Sequence, residues 1–282
     1  MSERFSRPPI GHAYCCVVGS PIAHSKSPQI HQRFAAQFAL NLVYERVEVH
    51  AGQLERAVHE FRDCDGRGLN VTVPLKEEAY ALASRCSERA QRAGASNTLY
   101  FDEQGELVAD NTDGVGLVRD LASNCGVALD HATVLLLGAG GAARGVVAPL
   151  FEAGVQALQL SNRTESRAQN LACELGDCGP ISVVPWGQVG KEAPDIVVNA
   201  TALSLDGKLP PLASDALTPG SFCYDMMYAS APTVFVQWAR DAGLRASDGL
   251  GMLVEQAAES FEIWHGLRPE TATVIEAIRN TA

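Results

Sequence analysis

The sequence predicts an α/β protein of two domains. Three observations carry that prediction: an apolar run at mid-chain that breaks into a glycine turn and a helix, alternating strand and helix signals ahead of it, and 282 residues that are 46% hydrophobic and 20% charged, enough for two cores.

The mid-chain run is Thr133-Val-Leu-Leu-Leu137. A strand in the centre of a parallel sheet is covered on both faces, so its residues are continuously apolar rather than alternating. It passes into Gly138-Ala139-Gly140-Gly141-Ala142-Ala143, followed by a helix over 142–153 closed by Gly154 and a second strand over 157–160. Gly138 permits the tight turn, Gly140 keeps side chains off an approaching pyrophosphate, and Ala143 lets helix and strand pack closely. Phosphate then rests on the helix N-terminus, as in the Rossmann fold. An NAD-binding unit places an acid about 20 residues beyond the glycines to hold the ribose 2'-hydroxyl. Ser161-Asn162-Arg163-Thr164 stands there instead. A guanidinium pairs with two phosphate oxygens, so Arg163, helped by Asn162, Thr164 and Arg167, points to NADP as cofactor. The same residues would also suit a solvated helix start capped by Thr164.

Because the dinucleotide unit begins mid-chain, the preceding residues need a core of their own. Strands are expected over 14–19, 43–49 and 69–73, helices over 28–38, 54–61, 77–83 and 87–93, and a hairpin over 98–109 turning at 102–105. The alternation implies a mostly parallel sheet. A helix from 112 or 113 to about 125 leads into the second domain. There, apolar runs at 181–184, 196–199 and 222–225 and helices over 165–175 and 233–242 complete a doubly wound sheet. Helices over 250–264 and 270–280 are expected to pack back on the first domain, with Phe261, Trp264 and Leu267 as core. The domains are then 1–112 with 249–282, and 113–248.

Two segments of the first domain gather polar groups. Gly19-Ser-Pro-Ile-Ala-His-Ser25-Lys-Ser27-Pro28 leaves a strand and enters a helix, with Ser27 placed as N-cap and Pro28 at the first helical position, a spot that can hold a carboxylate. Gly68-Leu-Asn70-Val-Thr72-Val-Pro74-Leu-Lys76 puts Asn70 and Thr72 on one strand face and a lysine just past the strand's end. Ligands of open parallel sheets collect outside those carboxyl ends. His24 beside Ser25 suggests no hydrolase, because no Gly-x-Ser-x-Gly elbow is present.

Together with Gly94-Ala-Ser-Asn97-Thr-Leu, Asp110-Asn-Thr-Asp113-Gly, Asn162-Arg-Thr, Tyr224-Asp-Met-Met-Tyr228 and Asp248-Gly-Leu-Gly-Met-Leu-Val-Glu-Gln256-Ala-Ala, these strings resemble the shikimate dehydrogenases over nearly the whole chain. The resemblance implies an N-terminal substrate domain and NADP-dependent, reversible reduction of 3-dehydroshikimate to shikimate, a step toward chorismate and the aromatic amino acids. It implies that Ser25 and Ser27 bind the substrate carboxylate with Thr72 and Tyr228 close by, and that Asn70, Asn97, Asp113 and Gln256 hold the ring hydroxyls. Lys76 and Asp113 match the catalytic pair. Gly138, Ala139, Gly140, Gly141, Ala142, Ala143, Asn162, Arg163, Thr164, Asn199, Ala200, Thr201, Met226 and Gly249 match positions around the cofactor. Gln32 and Ser96 depart from the expected Asn and Val, and neither is expected to touch a catalytic group. Reducing a ring ketone leaves an alkoxide that must gain a proton, which suits a cationic donor oriented by a carboxylate.

Composition limits the partners. A formal charge of -11 disfavours nucleic acid and anionic membranes, and no apolar run approaches the ~20 residues of a membrane span. The expectation is a cytoplasmic enzyme of a small-molecule substrate, acting as a monomer or homodimer. Eight cysteines without Cys-x-x-Cys and seven histidines without His-x-x-x-His predict reduced thiols and no metal. The alternatives are a quinate/shikimate dehydrogenase using NAD, which Arg163 disfavours, and a folate-interconverting dehydrogenase, which needs an aromatic pocket the sequence does not show. A non-catalytic NADPH-responsive binding protein is a third, and it would lack the lysine or the aspartate.

Overall fold

The structure is a computed structural model and describes residues 4–280. Its contacts form two compact units. Among the described residues, one holds 4–112 together with 256–280, and the other holds Asp113–Glu255.

In the first unit the strands β1 (Ala13–Gly19), β2 (Leu42–Glu48), β3 (Gly68–Val71), β4 (Arg85–Cys86), β5 (Thr98–Phe101) and β6 (Leu107–Asp110) form one sheet in the order β2-β1-β3-β5-β6-β4. The β1/β2, β1/β3 and β4/β6 pairings are parallel, and β5 runs antiparallel to both neighbours. The expected hairpin is therefore part of the sheet, and Asp102 closes its turn by accepting the N–H groups of Gln104 and Glu106. Along β1 the side chains alternate. Tyr14, Cys16 and Val18 enter the core with Leu54, Val58 and Phe61 of α2 (Leu54–Asp63), whereas Cys15 and Val17 enter a separate cluster with Tyr44 and Trp264. Both faces are covered, so every residue from Tyr14 to Val18 is buried. On the second face lie α1 (Ser27–Gln37) and the later turns of α9 (Leu250–His265), while α10 (Ala272–Asn280) packs on α1. Phe261 and Trp264 are buried there, but Leu267 is only half-buried. The connections α3 (Lys76–Leu82) and α4 (Glu88–Ala93) are short helices, the latter capped by the Ser87 hydroxyl.

In the second unit β7 (Thr133–Leu137), β8 (Ala157–Ser161), β9 (Ile181–Val184), β10 (Ile196–Asn199), β11 (Phe222–Asp225) and β12 (Arg245–Asp248) pair in parallel throughout, in the order β12-β11-β10-β7-β8-β9. That is the doubly wound order, which reverses direction between β7 and β10. Val134 and Leu136 pack on one side with α5 (Asp113–Arg119), α6 (Gly141–Glu152) and α7 (Glu165–Glu174); Leu135 and Leu137 pack on the other with α8 (Val234–Asp241). Pro149 inside α6 has no N–H to offer the Gly145 carbonyl four residues back, and a Cβ on Gly114 of α5 would strike both groups.

Four elements differ from the sequence expectation. The strand over 69–73 ends at Val71, because Thr72 to Leu75 close a turn ahead of α3. The helix expected to run to 125 changes after Arg119 into a π-helical turn, Asp120–Asn124, where the buried Asp120 carboxylate accepts the Tyr224 hydroxyl and the Asn124 amide. The second unit boundary falls inside α9 rather than at 248/249. Gly251 abuts Asp120 and Met252 joins the second unit's core, whereas Phe261 and Trp264 pack with the first. Strand β12 has no counterpart among the expected strands, since Arg245-Ala-Ser-Asp248 at a sheet edge has no apolar run.

His31 on α1 is fully buried, stacked on Tyr44 with ring centres 4.3 Å apart. Burial, reinforced by His265, lowers its pKa to about 3, and burial with Arg67 lowers that of His265 to about 4. Both stay neutral where the unfolded chain binds protons, so their contribution is intact above about pH 6.5 and is lost as pH falls toward 4. The slope at His31 approaches about 1.4 kcal/mol per pH unit. Ring-proton NMR between pH 5 and 8 is expected to show no titration of His31; a midpoint near 6.5 would refute the assignment.

Candidate active site

The loop between β1 and α1 carries the two serines. Lys26 occupies the N-cap position without a side-chain bond, Ser27 is the first helical residue, and Pro28 lies in the first turn. Ser27 therefore does not cap the helix as expected. Its hydroxyl accepts from Ser25 at 3.2 Å, and its N–H donates to the Ser25 oxygen at 3.3 Å. His24 beside them is exposed.

Asn70 lies within β3, and Thr72 follows one residue past the strand's end, its N–H donating to the Val18 carbonyl. Asn70 belongs to a buried amide network. Its Oδ1 accepts the Tyr44 hydroxyl at 2.6 Å, and its Nδ2 donates to the Asn97 carbonyl at 3.3 Å and to Ser260 Oγ at 3.0 Å. Asn97 Oδ1 accepts the Thr112 N–H at 2.9 Å, and its Nδ2 donates to Thr112 Oγ1 at 2.9 Å and to Gln256 Oε1 at 3.1 Å. The backbone groups fix which end of each amide is which, so the donor end of Gln256 turns away from Asn97. Asn70, Asn97 and Gln256 are thus brought together.

Lys76, half-buried, opens α3 immediately after the turn. Its carbonyl accepts the Ser96 N–H at 2.8 Å, a contact between main chains. The single Ser96 hydroxyl hydrogen is shared between the carbonyls of Thr98 and Asp110, which tolerate a serine where an aliphatic residue was expected; Gln32 is exposed. Asp110 receives the Arg89 guanidinium through two bonds of 2.6 and 2.8 Å. Burial opposes its charge, yet Arg89 holds the carboxyl below the usual range. Asp113, half-buried, is the first residue of α5 in the second unit.

In the second unit, the glycine turn and residues 200–201 meet at the switch point. Gly138 has φ +114°, a conformation open to glycine, and a Cβ there would press on Ala200 and Thr201 at 3.2–3.3 Å. Its neighbour Ala139 is half-buried, and Ala143 is fully buried against the sheet. A Cβ on Gly140 or Gly141 would meet no atom within 4 Å, so the mouth of α6 is an open cradle of backbone, and no acid occupies its first turn. Ala142 is exposed beside it. This geometry fits a dinucleotide pyrophosphate. At the end of β8, Asn162 donates to the Thr164 carbonyl at 2.8 Å and Arg163 and Arg167 are exposed; Thr164 sits at the N-cap of α7 without a side-chain bond.

Asn199 accepts both the N–H and the hydroxyl of Thr201, and its Nδ2 donates to Asp225 at 3.1 Å. Asp225 also accepts Ser204, Thr233 and the Met227 N–H, while burial raises its pKa. Met226 is buried at the end of β11, and Gly249 is glycine because a Cβ would collide with the Met226 carbonyl. Tyr228 is half-buried, which raises its pKa. Sequence reasoning missed Tyr44, Asp120, Asp225 and Ser260. Each stands in or beside an apolar stretch, where its only signal is a polar group that must find a partner. The thiols of Cys15 and Cys223 are buried, and burial pushes both up to about 12. Among the described residues no cysteine forms a disulfide.

Comparison with known proteins agrees with this geometry. Residues 17–99 match the family described as shikimate dehydrogenase substrate binding domain, 120–205 that described as shikimate / quinate 5-dehydrogenase, and 249–279 that described as shikimate 5'-dehydrogenase C-terminal domain. A protein of Janthinobacterium sp. (strain Marseille) named shikimate dehydrogenase (NADP(+)) is 53% identical over 94% of this chain and 96% of its own. One of Alkalilimnicola ehrlichii with the same name is 52% identical over 93% and 97%. Among solved structures, shikimate 5-dehydrogenase of Thermus thermophilus, in complex with NADP(H) and shikimate, is 35% identical with a TM-score of 0.86 over 96% of this chain and 100% of that one. The ligand-free 5-ketofructose reductase of a Gluconobacter strain is 27% identical, with a TM-score of 0.89 over 97% and 100%. With half of its residues identical to such relatives along nearly its full length, this chain belongs to the shikimate dehydrogenase family.

Proposed function

We propose that the chain catalyses the reversible, NADP-dependent reduction of 3-dehydroshikimate to shikimate. The observation that carries this reading is the 53% identity, over 94% of the chain, to a relative named for that activity. The amide network supports it, because Asn70, Asn97 and Gln256 stand pre-oriented by buried partners, as recognition of a polyhydroxylated ring requires.

Ser25 and Ser27 receive the substrate carboxylate, with Thr72 and Tyr228 assigned to the same end. Asn70, Asn97 and Gln256 hold the hydroxyls. The Lys76 ammonium polarises the C3 carbonyl and gives its oxygen a proton, and takes it back in the reverse direction; Asp113 orients Lys76 and bonds a ring hydroxyl. Bound NADPH supplies the hydride. The cradle at residues 138–143 holds its pyrophosphate, residues 199–201 with Met226 and Gly249 flank it, and Asn162 to Thr164 with Arg167 receive the 2'-phosphate. Among the described residues no helix is long and apolar enough to cross a membrane. The free thiols favour a reducing compartment, and we place the reaction in the cytoplasm.

Steady-state assays crossing shikimate and quinate with NADP and NAD test the reading. The highest kcat/KM is expected for shikimate with NADP, and turnover absent with every pair would overturn it. Lys76→Ala should lower kcat by about 100-fold or more while the shikimate Kd, read by calorimetry, stays within a few-fold; equal losses would make Lys76 a binding group instead. Arg163→Ala should raise the Kd for NADP about tenfold and leave that for NAD unchanged, the loss of one charge-assisted contact. Parallel shifts of both would remove Arg163 from the 2'-phosphate site.

A further inference from the structure

Tyr44 has no place in the sequence-based site, yet it holds one of the groups assigned to substrate. It stands mid-strand in β2, opposite Cys15 of β1, and is 4% exposed. Its ring is seated by His31, stacked at 4.3 Å and 14°, and by Trp264 at 6.5 Å. Its hydroxyl donates to Asn70 Oδ1 at 2.6 Å. Burial holds the phenol far above its ordinary pKa, so it keeps this proton at any working pH. Asn70 spends both amide hydrogens on the Asn97 carbonyl and Ser260, so Tyr44 O–H is the donor that holds its oxygen end.

We propose that Tyr44 is a positioning residue of the substrate site, its hydroxyl fixing the Asn70 amide in the orientation that receives a ring hydroxyl. This rests on the functional reading above. With its oxygen end held by Tyr44, the orientation of the Asn70 amide becomes a property of β2 and not of its own rotamer. Loss of the Tyr44 hydroxyl weakens substrate capture more than chemistry.

The test is Tyr44→Phe in the full chain, which keeps the stacked ring and removes only the hydroxyl. Its shikimate KM should rise about fivefold, the size of one net hydrogen bond, with kcat and the NADP KM within twofold. In the Asn70→Ala background the same substitution should change shikimate KM less than twofold, because the partner is already gone. A shikimate KM within twofold of the unaltered protein would overturn the inference. So would a joint rise of both KM values with a falling Tm, which marks a structural role, or an undiminished effect beside Asn70→Ala. Absence of shikimate-dependent turnover in the unaltered protein would instead sink the functional reading itself.

Discussion

The bond from the Thr112 N–H to Asn97 Oδ1 decides the polarity of the substrate-side core. A buried backbone donor must be satisfied, so the carbonyl end of Asn97 faces Thr112 and its amino end faces Gln256. Gln256 follows in turn, and so does the Thr98 hydroxyl, which donates to the same Asn97 oxygen and meets Ser260 at 2.8 Å. Ser260 bonds Asn70, the Gln256 carbonyl and Thr98, so three amides on separate elements answer to one main-chain group. A network this buried is favourable only if complete, since each orphaned polar atom costs about 1–3 kcal/mol. The same completeness that stabilises the unit also gives its amides a single orientation.

The second unit solves the corresponding problem with a charge. Asp225 at the end of β11 is buried and accepts from Asn199, Ser204, Thr233 and the Met227 N–H. Burial alone would neutralise it, and the four donors offset that cost. Through Asn199 it fixes Thr201, beside the Gly138 turn, and through Thr233 it sets the start of α8, whose cap is the same hydroxyl. The loops at the carboxyl ends of β10 and β11 are thereby tied to one carboxylate instead of to solvent.

What the sequence displays follows from what periodicity can encode. Strands β1, β7 and β10 are apolar on both faces and are legible to within a residue or two, and the glycine turn is legible because backbone conformation restricts residue type there. The end of β3 is not, because the chain turns at Thr72 through main-chain bonds that leave no pattern in side-chain type. Edge strand β12 is invisible for a related reason: a half-buried Arg-Ala-Ser-Asp carries no alternation. The proposed ligating residues stand out by motif, but their partners do not. Tyr44 and Tyr224 read as apolar core, and only their hydroxyl bonds to Asn70 and Asp120 distinguish them.

Stability and the placement of Lys76 are one matter in the first unit. Pro74 cannot continue a ladder, so β3 stops, the chain turns through Leu75, and the lysine begins α3. Ser96, one residue before Asn97 and two before the start of β5, then bonds the Lys76 carbonyl through its N–H and the Asp110 carbonyl through its hydroxyl. The main chain bearing the ammonium is thus fastened to the main chain bearing the Asn97 amide. Asp110 is itself locked by Arg89, whose third contact reaches Glu259 on α9, close in the chain to Gln256 and Ser260. An ion pair at the protein surface would contribute little, but this bidentate, half-buried one closes a loop through β6, α4 and α9. Displacing the Lys76 main chain relative to Asn97 would have to break its bond with the Ser96 N–H.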